Sequence, residues 1–129
     1  MADTDRELLE MAAKAAGHAL VWGEKYAIGG DTVDCSDMPY IKSIHPDELD
    51  AYWNPLTDDG DAFRLAVKCG ISVLRFSACI GTGWPQNGLP ARLIGFDPPY
   101  EDISSGQDVL AATRRAITRA AAEIGRSMT

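Results

Sequence analysis

Four arginines crowd one stretch of the chain, and guanidinium is the side chain whose planar fork best matches anionic oxygens. Arg114, Arg115, Arg119 and Arg126 fall within residues 108–129, against only Asp108 and Glu123. That stretch carries +2, so the rest of the chain carries −9 against a total of −7. At about 100° per helical residue, Arg115, Arg119 and Arg126 fall together, with Arg114 at the edge of the opposite, apolar stripe. The cluster reads in two ways: a solvated basic face that pairs with the chain's own excess acid, or a seat for the phosphates of a small anion. Trp53 and Trp84 also have two readings. Each stands beside breaker residues, Asn54-Pro55 and Pro85, rather than inside an apolar run. Either the rings pack under loops, or they stack on a ligand base, with Asn54 supplying base-edge hydrogen bonds. Aromatic stacking plus arginine is a common way to hold a nucleotide without a phosphate-binding glycine loop.

Other chemistries find less support. No nucleophile elbow, Walker loop or HExxH motif occurs, and GTGWPQNG (81–88) lacks the GxxG spacing and following helix of a dinucleotide site. The acidic string DDGD (58–61) fits a helix start better than a calcium loop, since no later bidentate Glu follows. His18 and His45 have no cysteine or carboxylate at catalytic spacing, and Cys69 falls on an apolar helical stripe. No acid–base pair can be named, so neither catalysis nor a cofactor is expected. Three widely spaced cysteines without a CxxC pair argue against a disulfide framework and a structural zinc. The −7 charge opposes binding to long nucleic acid or anionic lipid. No run approaches the roughly 18 apolar residues of a membrane span.

The elements that must position these residues are partly legible. At 129 residues, with 46% hydrophobic and 24% charged, the chain is sized and composed for one globular domain, 1–129. It opens on an acidic helix over about 5–16 rather than a signal peptide. Thr4 and Glu7 have capping-box spacing, Leu8, Met11, Ala12 and Ala15 share a face, and Gly17 stops the helix. HALVWG (18–23) and YAIGG (26–30) read as a hairpin around Gly23-Glu24-Lys25. Residues 31–52 are the least readable, with Tyr40, Ile41 and Ile44 as possible anchors. A middle helix starts at Thr57–Asp61, buries Ala62, Leu65, Ala66 and Cys69, and ends at Gly70. ISVLRFSACIG (71–81) and ARLIGF (91–96) read as strands around a turn at 81–88, and 97–107 reads as a loop. A C-terminal helix follows at 108–128, N-capped by Asp108, with Leu110, Ile117 and Ile124 seven apart. The expected class is α+β: an antiparallel sheet with N-terminal, middle and C-terminal helices.

The strings DRELLEMAAKAAG, YWNPLTDDGDAFRLAVKCGISV and ATRRAITRAAAEIGRSM resemble a family of small hypothetical proteins of tailed phages and prophages. The resemblance covers roughly half the chain and leaves 31–52 and 77–107 unmatched. The layout is also similar to that of NinX-like phage proteins. Small accessory phage proteins often counter host defence, and the size and layout resemble anti-Thoeris sponges, which bind cyclic ADP-ribose isomers or cyclic oligonucleotides without cleaving them. Such a resemblance implies a cytoplasmic homo-oligomer in the host bacterial cell. Arg114, Arg115 and Arg119 would contact phosphate, and Trp53 or Trp84 would stack on a base. The alternative is an acidic, protein-binding inhibitor of the DNA-mimic or anti-CRISPR type, whose carboxylates rather than arginines would carry the activity.

Overall fold

A computed structural model of the chain describes residues 4–43, 45, 47–75, 79–86, 89–94, 101–102 and 108–128. Three helices are set by local caps. In α1 (Asp5–Ala16) the Thr4 hydroxyl accepts the Glu7 N–H at 3.2 Å. In α2 (Asp59–Cys69) the Asp58 carboxylate accepts the Asp61 N–H at 2.7 Å, and in α3 (Val109–Arg126) Asp108 accepts the Leu110 N–H at 2.9 Å. Gly17 and Gly70 end α1 and α2 in the left-handed conformation, at φ 76° and 69°, as the sequence predicts.

The strands are β1 (Leu20–Trp22), β2 (Lys25–Ile28), β3 (Asp31–Asp34), β4 (Pro39–Ile41), β5 (Ala51–Tyr52), β6 (Ser72–Arg75), β7 (Cys79–Gln86), β8 (Leu89–Ile94) and β9 (Glu101–Asp102). Among the described residues all pairings are antiparallel, so the α+β class with helices at the start, middle and end holds. Among the described residues three sheets form rather than one: β1-β4-β5, the ribbon β2-β3, and β6-β7-β8 with β9 also on β7.

Three expectations about strands are corrected. The hairpin does not turn at Gly23-Glu24-Lys25. Its strands are β2 and β3, and it turns at Gly29-Gly30, whose φ values of 57° and 89° suit a tight primed turn that glycine enters without strain. β1 pairs instead with β4, in the register Leu20↔Ile41. The breaker-rich 81–86 is strand, not turn. Period-two alternation explains why: Ile80, Thr82 and Trp84 share one face of β7 and are buried beneath α3, while Gly81 and Gly83 take the other face. The expected loop at 97–107 includes β9, whose Glu101 pairs opposite Ile80. Ile44, Phe76–Ala78, Asn87-Gly88 and the remainder of 95–107 lie outside the described residues.

The core gathers Leu9, Ala12, Ala13 and Ala16 of α1, Ala62 and Leu65 of α2, Ile117, Ala120 and Ala121 of α3, and the rings of Trp53 and Trp84. On α1 the buried stripe is Leu8, Leu9, Ala12, Ala13 and Ala16, one position round from the expected one, and Met11 and Ala15 are only half-buried. On α3 Leu110 is exposed, whereas Ala112, Ala116, Thr118 and Ala122 are buried. This helix packs on α1, α2 and β7 at once, so small residues are buried around most of its circumference.

Candidate functional site

The expected arginine cluster is drawn apart by the chain's own acids. Arg114 donates from Nε to the Leu56 carbonyl at 2.9 Å and from Nη1 to Asp59 Oδ1 at 2.7 Å, tying α3 to the entry of α2. Arg115 donates to Asp5 Oδ1 at 2.9 Å, and Arg126 pairs with Glu123. Arg119 Nη1 lies 2.9 Å from Glu101 Oε1 as an ion pair, but without the angle of a hydrogen bond. Burial pushes the Glu101 carboxyl above its usual range, with Arg119 and then Arg115 pulling it back. Each guanidinium thus faces a different carboxylate, and pairing with internal acid describes the cluster better than a shared phosphate seat.

The tryptophans also have structural duties. Trp84 is in the core under α3, with no face open for stacking. Trp53 is buried too, but its ring meets the His18 imidazole edge-on at 5.5 Å. The Asn54 side chain is engaged: Oδ1 accepts the Leu56 N–H at 3.0 Å, and Nδ2 stands 3.4 Å from the Tyr52 hydroxyl. It shapes the turn into α2 rather than facing a base.

A cleft of about 590 Å³ does open beside Trp53. Its walls are the end of α1 (Ala16, Gly17, His18), Ile41 of β4, Ala51 and Tyr52 of β5, and one face of α2 formed by Asp61, Arg64, Leu65 and Lys68. The α2 positions are three, four and seven apart, so helical geometry alone aims them the same way. Asp61 braces the cleft: Oδ2 accepts the Asn54 N–H at 3.0 Å, and Oδ1 accepts Arg64 Nη2 at 2.8 Å. Arg64 also approaches Asp58 at 3.8 Å. Among the described residues no carboxylate is within ion-pair range of Lys68. Burial holds His18 below its usual pKa, Lys68 adds to that, and Asp61 opposes it. That balance favours the neutral imidazole.

The cleft can accept a planar apolar group against Tyr52, the Trp53 edge, Ile41 and Leu65, and an anionic group at Lys68, His18 and Arg64. Trp53 is the one predicted site residue among its walls. His18, Arg64 and Lys68 escape sequence reasoning because nothing local joins His18 to a helix fifty residues on. The spacing of Asp61, Arg64, Leu65 and Lys68 is the signal that was available. Cys69 packs against the core and burial raises its thiol pKa, which disfavours the thiolate needed for nucleophilic attack. Among the described residues no group of three or more His, Cys, Asp or Glu side chains could hold a metal ion, and no helix is long and apolar enough to cross a membrane. No protein-family model, curated protein or solved structure matches the chain.

Proposed function

We propose that this protein binds a small nucleotide-derived signal and withholds it without cleaving it, as a phage-encoded anti-defence sponge does. The ligand class is a cyclic ADP-ribose isomer or a cyclic oligonucleotide, and the seat is the cleft between the end of α1, β5 and α2. One observation carries this reading: two aromatic residues and a cation with no carboxylate partner among the described residues line the same cleft in a chain that is otherwise strongly acidic. A local positive spot there suits a small anion better than a long polyanion. The reading includes a homo-oligomer in the cytoplasm of the host cell, and Phe63 and Val67, exposed one turn apart on α2, suit contact with a further copy.

The test is a thermal-shift panel of cyclic ADP-ribose isomers and cyclic di- and trinucleotides. A ligand at about 100-fold over its dissociation constant adds about 2.7 kcal/mol of stability, a readable shift. Recovery of the same compound intact after denaturation supports sequestration. A shift followed by recovery of a cleaved product would replace it with an enzyme. The alternative, an acidic inhibitor of a host defence complex, draws on the β2–β3 ribbon, where Asp31 and Asp34 are exposed and Glu24, also exposed, lies at the Asp34 end. If no compound in the panel shifts the melt, loss of partner capture on neutralising those acids is the result that favours it.

A further inference from the structure

The cations of the cleft are not equivalent. Arg64 is held by Asp61 at 2.8 Å and lies near Asp58, so its charge is largely answered within the protein. Lys68, one helical turn further on, has no such partner among the described residues. The His18 ring packs against Trp53, and no described residue hydrogen-bonds to it. Among the described residues the charged groups that act on this ring are Lys68 and Asp61 of α2, and Arg64 of α2 and Tyr52 of β5 line the same cleft. The end of α1 and β4 present Ala16, Gly17 and Ile41, which carry no charge.

We propose that Lys68 and His18 together seat one phosphate of the ligand, and that His18 takes up a proton as the phosphate enters. This rests on the reading that the cleft takes nucleotides, and it assigns the phosphate end to these two residues. An anion between ammonium and imidazole offsets the repulsion that Lys68 exerts on a protonated ring. Protonation gives the ring a positive charge, and an N–H bond from imidazolium to phosphate is charge-assisted and stronger than one from the neutral ring. Arg64 stays with Asp61 and acts as a wall. The planar end of the ligand lies toward Tyr52 and the Trp53 edge. Binding therefore tightens as pH falls toward the range in which imidazole is protonated, with a limit of about tenfold per pH unit for one linked proton.

Titration calorimetry with 3′,5′-cyclic AMP tests this, because its phosphodiester does not itself titrate between pH 5.5 and 8. Adenosine is the comparison, and the full chain is measured in two buffers of different ionisation enthalpy. The expected result is tighter binding of cyclic AMP at low pH, net proton uptake, and weaker, pH-independent binding of adenosine. His18→Asn is expected to remove the pH dependence and the proton uptake while retaining part of the affinity. Lys68→Gln is expected to weaken cyclic AMP binding at least about tenfold at every pH, the loss of a charge-assisted contact, with an unchanged melting temperature in the absence of ligand. Equal binding of adenosine and cyclic AMP would keep the nucleotide cleft and overturn the phosphate seat. An unchanged pH slope in His18→Asn would overturn the role of His18. Binding of neither compound would overturn the seat and count against the nucleotide reading on which it rests.

Discussion

Gly125 of α3 lies directly against the Met11 main chain of α1, so close that a Cβ at this position would overlap the Met11 carbonyl oxygen. The obstacle is backbone, which cannot rotate away as a side chain can. Gly125→Ala is therefore expected to push the helices apart, although alanine is the better helix former. Overpacking of this kind costs about 1–3 kcal/mol. Urea denaturation should show a lower midpoint, and an unchanged midpoint would mean that the crossing yields more easily than its geometry suggests.

Asp61 is buried and holds two donors, the Asn54 N–H and the Arg64 guanidinium. Asp61→Ala leaves a main-chain N–H without its acceptor, at a cost of about 1–3 kcal/mol. Asp61→Asn keeps an oxygen for that N–H and should recover part of the loss. Chemical denaturation of the two variants separates the hydrogen bond from the charge. Equal losses would assign the whole effect to the ion pair with Arg64.

Glu101 makes a pH prediction. Burial raises its pKa, so the folded chain holds this proton more tightly than the unfolded chain does. Stability from this group is present below the ordinary carboxylate range and is lost as pH rises through the raised folded value. Glu101→Gln resembles the protonated form. It should hold or raise the denaturation midpoint at pH 7 and flatten the decline in stability above the usual carboxylate range. A clearly lower midpoint at pH 7 would show instead that the Arg119 pair outweighs the desolvation.

Arg115 and Arg119 separate the two possible seats. The Arg115–Asp5 pair is largely exposed, and such pairs contribute about 0–1 kcal/mol. Arg115→Ala with Arg119→Ala should leave nucleotide binding in the cleft unchanged. Loss of binding in this double variant, with Lys68→Gln binding normally, would move the seat to α3.

The helices were legible because their signals are local. Thr4, Asp58 and Asp108 cap from positions adjacent to the turns they serve, and Gly17 and Gly70 stop helices by a property of their own backbones. Strand pairing was less so. Gly29-Gly30 is a hairpin turn in plain view, but nothing near Leu20 announces that its partner is Ile41. Gly81 and Gly83 look like breakers until an overlying helix uses the opposite face of their strand. The site was hardest to read. Arg115 finds its acid 110 residues away and Arg114 finds one 55 away, so arginines that share a helix do not share a ligand. The cleft joins His18 to Lys68 only through the tertiary fold.

The pairing of α1 with α3 also bears on how the chain is made. The apolar face of α1 is complete once Ala16 has been synthesised, but the helix that covers it begins at Val109. At about 5–20 residues per second, that face waits roughly 5–20 seconds for its cover. Leu8, Leu9, Ala12 and Ala13 are then a sticky surface on every nascent chain, and a ribosome stalled before residue 109 releases a product that cannot close its core. Vectorial synthesis thus leaves this face uncovered until α3 has emerged, and chaperone contact on the ribosome should concentrate on α1.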